Sequence, residues 1–169
     1  VFACDDKFPK TSGNGLVVNP HPDGRQWLVG GPMSSTGLAL QWVAGLLGCS
    51  LDQLSRLAVA SVPGARGVLF VPTLDGSRAP DWNPNARGAF VGLSLAHGPA
   101  DLARAAYEGI AYSIRQILVL CREVGCSIDS LFLAGGASKD PFFCQLKADC
   151  LGIPAESAPT DELGICGTV

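Results

Sequence analysis

Leu131-Phe132-Leu133-Ala134-Gly135-Gly136-Ala137-Ser138-Lys139-Asp140-Pro141 runs from an apolar stretch through a Gly-Gly pair to a proline. That order predicts a strand, a glycine turn and the start of a helix. The run at 130–134 is apolar enough for a strand buried on both faces. Pro141 suits the first helical position and Gly152 the position just past the last, so a helix is expected over 141–151. A further short strand follows at 155–158. A strand, a helix and a second strand in this succession point to the α/β class, with helices packed on a sheet.

The same alternation extends outward. Upstream, Ala103, Tyr107, Ile110, Ala111, Ile114, Ile117, Leu118 and Cys121 recur at steps of three and four, the stripe of an amphipathic helix. That helix should run over 99–124 and end at Gly125. Before it, 67–71 and 89–95 read as strands around a long polar loop at 73–87. Leu38, Leu40, Trp42, Val43, Leu46 and Leu47 mark a helix over 36–47 that ends at Gly48. Ser34 and Ser35 stand where a hydroxyl would accept from its unpaired first N–H groups. A short helix is expected at 51–57. At the start, residues 1–3 read as the tail of a strand and 7–15 as a loop. Two apolar runs then flank His21-Pro22-Asp23-Gly24 as a hairpin. A last helix begins near Leu163. With no repeat and no internal linker, the 169 residues read as one domain around a mostly central sheet.

Composition narrows the function. The chain is 47% hydrophobic and 16% charged, which excludes disorder, and no apolar run reaches the ~20 residues that span a bilayer. A net charge of −3 with scattered basic residues offers nothing for nucleic acid, whose binding rests on clustered Lys and Arg. Seven cysteines and two histidines form no zinc-like cluster. They read as buried free thiols in a reducing cytosol. Neither a metal-ligand set nor a catalytic residue is assigned.

Two segments carry chemistry. Glycines at 135 and 136 allow a ligand to approach the backbone, since a Cβ would block it. A helix start beside them supplies unpaired N–H groups suited to phosphate. Asp140 can cap that helix or bond a ribose or base edge. An ordinary tight strand–helix turn explains the same residues. In Ser34-Ser35-Thr36-Gly37-Leu38-Ala39-Leu40-Gln41, Gly37 opens another helix and Gln41 lies one turn later on the same face. A base or phosphate contact and a solvated Gln on a capped helix both fit.

Longer patterns weigh between these alternatives. Gly88-Ala89-Phe90-Val91-Gly92-Leu93, a seven-residue gap and Asp101-Leu102-Ala103-Arg104-Ala105-Ala106-Tyr107-Glu108 resemble the signature of the FGGY carbohydrate kinases. The loop from Val71 to Gly88 resembles that family's Pro- and Trp-containing loop. The 135–141 segment and Leu163-Gly164-Ile165-Cys166-Gly167-Thr168 fall where the family has them. The resemblance implies an α/β, actin-like (ribonuclease H-like) ATPase domain, with a mixed central sheet flanked by helices. It corresponds to the C-terminal, nucleotide-binding half of a two-domain kinase, truncated at both ends.

It further implies ATP with Mg²⁺, and transfer of the γ-phosphoryl group to a sugar hydroxyl. Gly37, Gln41, Gly135, Gly136, Ala137 and Asp140 would hold the nucleotide. Asp140 stands where the family has an Asn, and a carboxylate accepts but does not donate. The catalytic base and most sugar contacts would belong to an N-terminal domain upstream of Val1, leaving this half inactive alone. Ser77-Arg78-Ala79-Pro80-Asp81-Trp82-Asn83-Pro84 leans toward the xylulokinase-like branch, whereas Val29-Gly30-Gly31-Pro32 is nearer the gluconate branch. Arg78 and Trp82 are left between the cleft and an oligomer contact, so a homodimer stays open. Cytoplasmic location is expected. The rivals are a non-catalytic actin-like nucleotide-binding module and a plain scaffold without ligand.

Overall fold

The structure, a computed structural model, describes residues 1–10 and 14–157. Strands β1 (Phe2–Asp5), β2 (Val17–Pro20) and β3 (Trp27–Gly30) pair antiparallel in the order β1-β3-β2. Helices α1 (Gly37–Leu46) and α2 (Leu51–Ala60) follow, then a 3-10 turn at Ala65–Gly67. Strands β4 (Leu69–Val71) and β5 (Ala89–Val91) form an antiparallel pair across the long loop. Helix α3 (Pro99–Glu123) leads to β6 (Leu131–Leu133), a 3-10 turn at Gly136–Lys139, α4 (Pro141–Leu151) and β7 (Ala155–Ser157). β6 and β7 are parallel, so this end is a strand–helix–strand crossover. The α/β class with mixed strand directions is as expected. Among the described residues the strands divide into three hydrogen-bonded ladders.

Helix α3 is the axis of the core. Its first half meets Val43, Leu54, Phe70 and Phe143 in one buried cluster; its second half meets Ala3 and Val29 in another. α3 approaches β4 so closely that a Cβ on Gly109 would stand 2.2 Å from the Phe70 carbonyl oxygen. Ala favours a helix over Gly by about 1 kcal/mol, but overpacking of this kind costs about 1–3 kcal/mol. Gly109→Ala is therefore expected to lower the thermal midpoint, and a calorimetric scan checks it.

Local chemistry explains where elements depart from expectation. α2 starts at Leu51 as expected, on a capping box in which Ser50 Oγ accepts from Gln53 N–H (3.2 Å) and Gln53 Oε1 from Ser50 N–H (2.8 Å), but it runs on to Ala60. It stops at Ser61, since Pro63 disfavours helical backbone at Val62. β5 ends at Val91 because Gly92 turns to φ +87°, which breaks the ladder. β4 starts late because the 3-10 turn precedes it. The expected serine caps of α1 are not formed. Thr36 is the N-cap and makes no side-chain bond to the first turn.

β6 is not buried on both faces: Phe132 is 63% exposed; among the described residues β6 pairs with β7 alone. Cys121 and Cys126 are buried free thiols, but Cys4 is exposed, as befits its place on the edge strand β1. The expected helix near Leu163, and Cys166 with it, lie outside the described residues.

Candidate functional site

The Gly135-Gly136 turn leaves the end of β6 and faces the first turns of α1 and α2 across a cleft of about 880 Å³. This is in the range of small-molecule sites. Gly37 and Gln41 line it from α1; Gly135, Gly136, Ala137 and Asp140 line it from the opposite wall. All six residues singled out by sequence thus meet in one place, although almost a hundred positions separate Gly37 from Gly136. A Cβ on Gly37, Gly135 or Gly136 would meet nothing within 4 Å, so these backbones face open space. Gly135 has φ +85°, a conformation that glycine adopts without strain.

One expected role changes, and of the two alternatives for Asp140 the cap is formed. Gly136 begins a four-residue 3-10 turn; the α-helix begins only at Pro141. That helix does not offer its first amides to a ligand, because Phe142 N–H and Phe143 N–H donate to Asp140 Oδ1 (3.0 and 3.3 Å). Asp140 is therefore first a cap. Among α1, α2 and α4, whose starts line the cleft, α1 is the one without a side-chain cap, beside Gly37, and it carries the partial positive charge that favours an anion.

Beneath the cleft, the α3 stripe read as apolar contains a buried polar line. Asp101, Arg104 and Glu108 are each at most 9% exposed. Glu108 Oε1 accepts from Arg104 Nε (2.6 Å) and from Gly64 N–H (2.9 Å), and Oε2 from the Tyr112 hydroxyl (3.3 Å). The Arg104 guanidinium lies 5.3 Å from the Phe142 ring centroid, so this network buttresses the first turn of α4. Asp101 accepts from Gly98 N–H (3.0 Å) and the Ser61 hydroxyl (2.7 Å). These bonds hold its carboxyl below the usual range. A carboxyl held low in the folded state stabilises the protein at neutral pH, and that stabilisation is lost as the pH falls through the lowered value.

The wall formed by α2 was not legible as a site. Asp52, Ser55 and Arg56 line the cleft at steps of three and four, the spacing of one helical face, and that polar face was the available signal. Tyr107 also reaches the cleft although it is 2% exposed. Its place in the core stripe hid the hydroxyl. Burial first, and then the charge and hydrogen bonding of Asp140, push this phenol above its usual range.

A second cavity, of about 770 Å³ between β1 and β6, borders Ala137 alone of the six. The 73–87 loop borders neither space. Arg78 faces a small separate cavity with Ser34, Ser35 and Gln116. Trp82 Nε1–H donates to the Gly15 carbonyl (2.6 Å), which anchors the loop on the hairpin. Among the described residues no three His, Cys, Asp or Glu side chains gather as a metal site, and no helix is long and apolar enough to cross a membrane.

Comparison with known proteins adds to this geometry. Residues 5–169 match the model of the FGGY family of carbohydrate kinases, C-terminal domain. The chain is 40% identical to a glycerol kinase of Gloeobacter violaceus over 129 residues, 75% of this chain and 26% of that protein. It is 30% identical to a gluconokinase of Bacillus subtilis over 174 residues, 94% of this chain and 34% of that protein. The ligand-bound xylulose kinase of Lactobacillus acidophilus superposes with a TM-score of 0.87 at 28% identity, covering 95% of this chain and 33% of that one. The chain thus spans about a third or less of the length of the relatives it matches.

Proposed function

The chain belongs to the FGGY family of carbohydrate kinases, and from that premise we propose that it is the nucleotide half of an enzyme that phosphorylates a sugar. Its fold is the actin-like (ribonuclease H-like) ATPase domain of that family. The observation that carries the proposal is the convergence of α1 and the Gly135-Gly136 turn on one cleft. Gly135 and Gly136 admit a ribose-phosphate against the backbone, where any side chain would intrude. Gln41 offers both a donor and an acceptor to the ligand, and the first amides of α1 face its phosphates. Asp140, accepting only, suits a ribose hydroxyl or an amino group. The cleft therefore fits ATP and ADP.

Mg²⁺ is held in such sites largely by phosphate oxygens and water rather than by a protein cage. When bound, it would neutralise charge on the phosphates during in-line transfer. The catalytic base and the main sugar contacts are assigned to a part of the protein outside this chain, and the cytoplasm to its location.

For the acceptor we favour a ketose of the xylulose type. The Ser77–Pro84 run and the likeness to xylulose kinase support it, while gluconate and glycerol are the alternatives that the other relatives raise. The test is ATP-dependent phosphorylation by the full-length protein, with D-xylulose, gluconate and glycerol compared as acceptors. Turnover of D-xylulose above the other two is expected. Preference for either of them would overturn the acceptor, and turnover of no sugar or polyol would overturn the kinase.

A further inference from the structure

We infer that the small cavity beside Arg78 takes the end of the acceptor remote from the hydroxyl that is phosphorylated, where Ser35, Arg78 and Asp81 read neutral hydroxyl and carbonyl oxygens. This rests on the kinase reading above, and it adds a contact from this chain to the sugar contacts assigned elsewhere. The cavity holds about 150 Å³, below the range of whole-ligand sites, so it suits part of a molecule. Its walls come from the connection between β3 and α1 (Ser34, Ser35), the 73–87 loop (Arg78, Asp81) and α3 (Gln116). They are fixed against one another. A Cβ on Gly31 would collide with the Ala79 side chain, and one on Gly15 with the Pro80 carbonyl. The loop therefore presses directly on the β3–α1 connection and on the hairpin.

Polar groups border this space without partners. Ser35 is only 8% exposed. Its hydroxyl, like the side chains of Ser34, Arg78 and Gln116, makes no hydrogen bond or ion pair among the described residues. A polar group so deeply placed ordinarily has a partner, and here its open side is the cavity. Asp81 accepts from the Ser77 hydroxyl at 3.5 Å, and it forms no ion pair with Arg78. The lining thus offers a guanidinium that donates, a carboxylate that accepts and hydroxyls that do both. Neighbouring hydroxyl and carbonyl oxygens satisfy all three, whereas a ligand carboxylate would face Asp81. The location fits the same ligand. Ser34 and Ser35 line this cavity, and the next two residues, Thr36 and Gly37, line the nucleotide cleft. Two residues span at most ~7 Å. The phosphates are placed at the first amides of α1, and in-line transfer sets the acceptor hydroxyl against the γ-phosphate. An acceptor chain leaving that hydroxyl has this cavity within reach.

The experiment uses the full-length protein, with acceptor kinetics, ADP affinity by calorimetry and thermal midpoint read for each variant. Arg78→Met keeps the length of the side chain and removes its donors. It is expected to raise KM for D-xylulose about 10-fold, the scale of one hydrogen bond to a charged group, while the ADP Kd changes by less than about 2-fold. Asp81→Asn removes the charge that opposes a carboxylate. The ratio of kcat/KM for gluconate to that for D-xylulose is then expected to rise about 10-fold or more. A purely structural role would lower the midpoint and act on both ligands alike. An unchanged KM in Arg78→Met, an unchanged acceptor ratio in Asp81→Asn, or an ADP Kd or midpoint that worsens along with KM each overturns this inference alone. Preference of the unaltered protein for gluconate or glycerol overturns the acceptor reading and this inference with it. Turnover of no sugar or polyol overturns the kinase reading as well.

Discussion

Glu108→Ala is expected to lower the free energy of unfolding by about 3–5 kcal/mol, the cost of removing one partner of a buried ion pair. The side chains of Arg104 and Glu108 are only 11% and 4% exposed, so the guanidinium left behind cannot recover its lost partner from water. Two further donors, Gly64 N–H and the Tyr112 hydroxyl, lose their acceptor in the same substitution. Domains are typically stable by about 5–15 kcal/mol, so this loss is a large share of the whole. Glu108→Gln retains an acceptor at the same place and should cost less. Urea unfolding measures both, with a fall in midpoint at unchanged slope marking a stability effect. A loss below about 1 kcal/mol for Glu108→Ala would mean that the pair behaves as a solvated surface bridge. The same variant should also loosen the cleft, because Arg104 lies against Phe142 and so against the turn that Asp140 caps.

The second large effect is on binding. Gly136→Val is expected to weaken ADP binding about 30-fold or more, which is about 2 kcal/mol, while the thermal midpoint stays nearly unchanged. The separation follows from the geometry. A Cβ at 136 meets no protein atom within 4 Å, so the fold tolerates it, and the space it enters is the cleft. Gly135 would be a poorer choice, since its positive φ makes a side chain strain the backbone and mixes folding with binding. Unchanged ADP affinity in Gly136→Val would remove the turn from the site.

Sequence made some of this legible for definite physical reasons. Pro141 and Gly152 bracket α4 because the one starts a helix without losing a bond and the other leaves it at φ +67°. The α3 stripe was long enough for its period to be unmistakable. The two glycine-marked segments were legible because a missing Cβ admits close approach to the backbone and, at Gly135, because φ is positive.

What escaped were features set by neighbours distant in sequence. Phe132 reads as core by composition and is exposed because no described element packs over its face of β6. Arg104, Glu108 and Tyr112 are spaced four apart on α3, but the burial of the pair and the third bond to Glu108 come from Gly64, which arrives from elsewhere in the chain. Asp52, Ser55 and Arg56 look like an ordinary solvated face until α2 is seen opposite the glycine turn. α2 is longer than its pattern suggests because nothing breaks the helix before Pro63, which disfavours helical backbone at Val62.

Amide hydrogen exchange of the full-length protein, with and without saturating ADP, tests the shared cleft most directly. Slowed exchange is predicted at both residues 37–41 and residues 135–137, appearing together over one ADP titration. Protection confined to one of the two segments, or found instead along the cavity between β1 and β6, would contradict a nucleotide held between α1 and the Gly135-Gly136 turn.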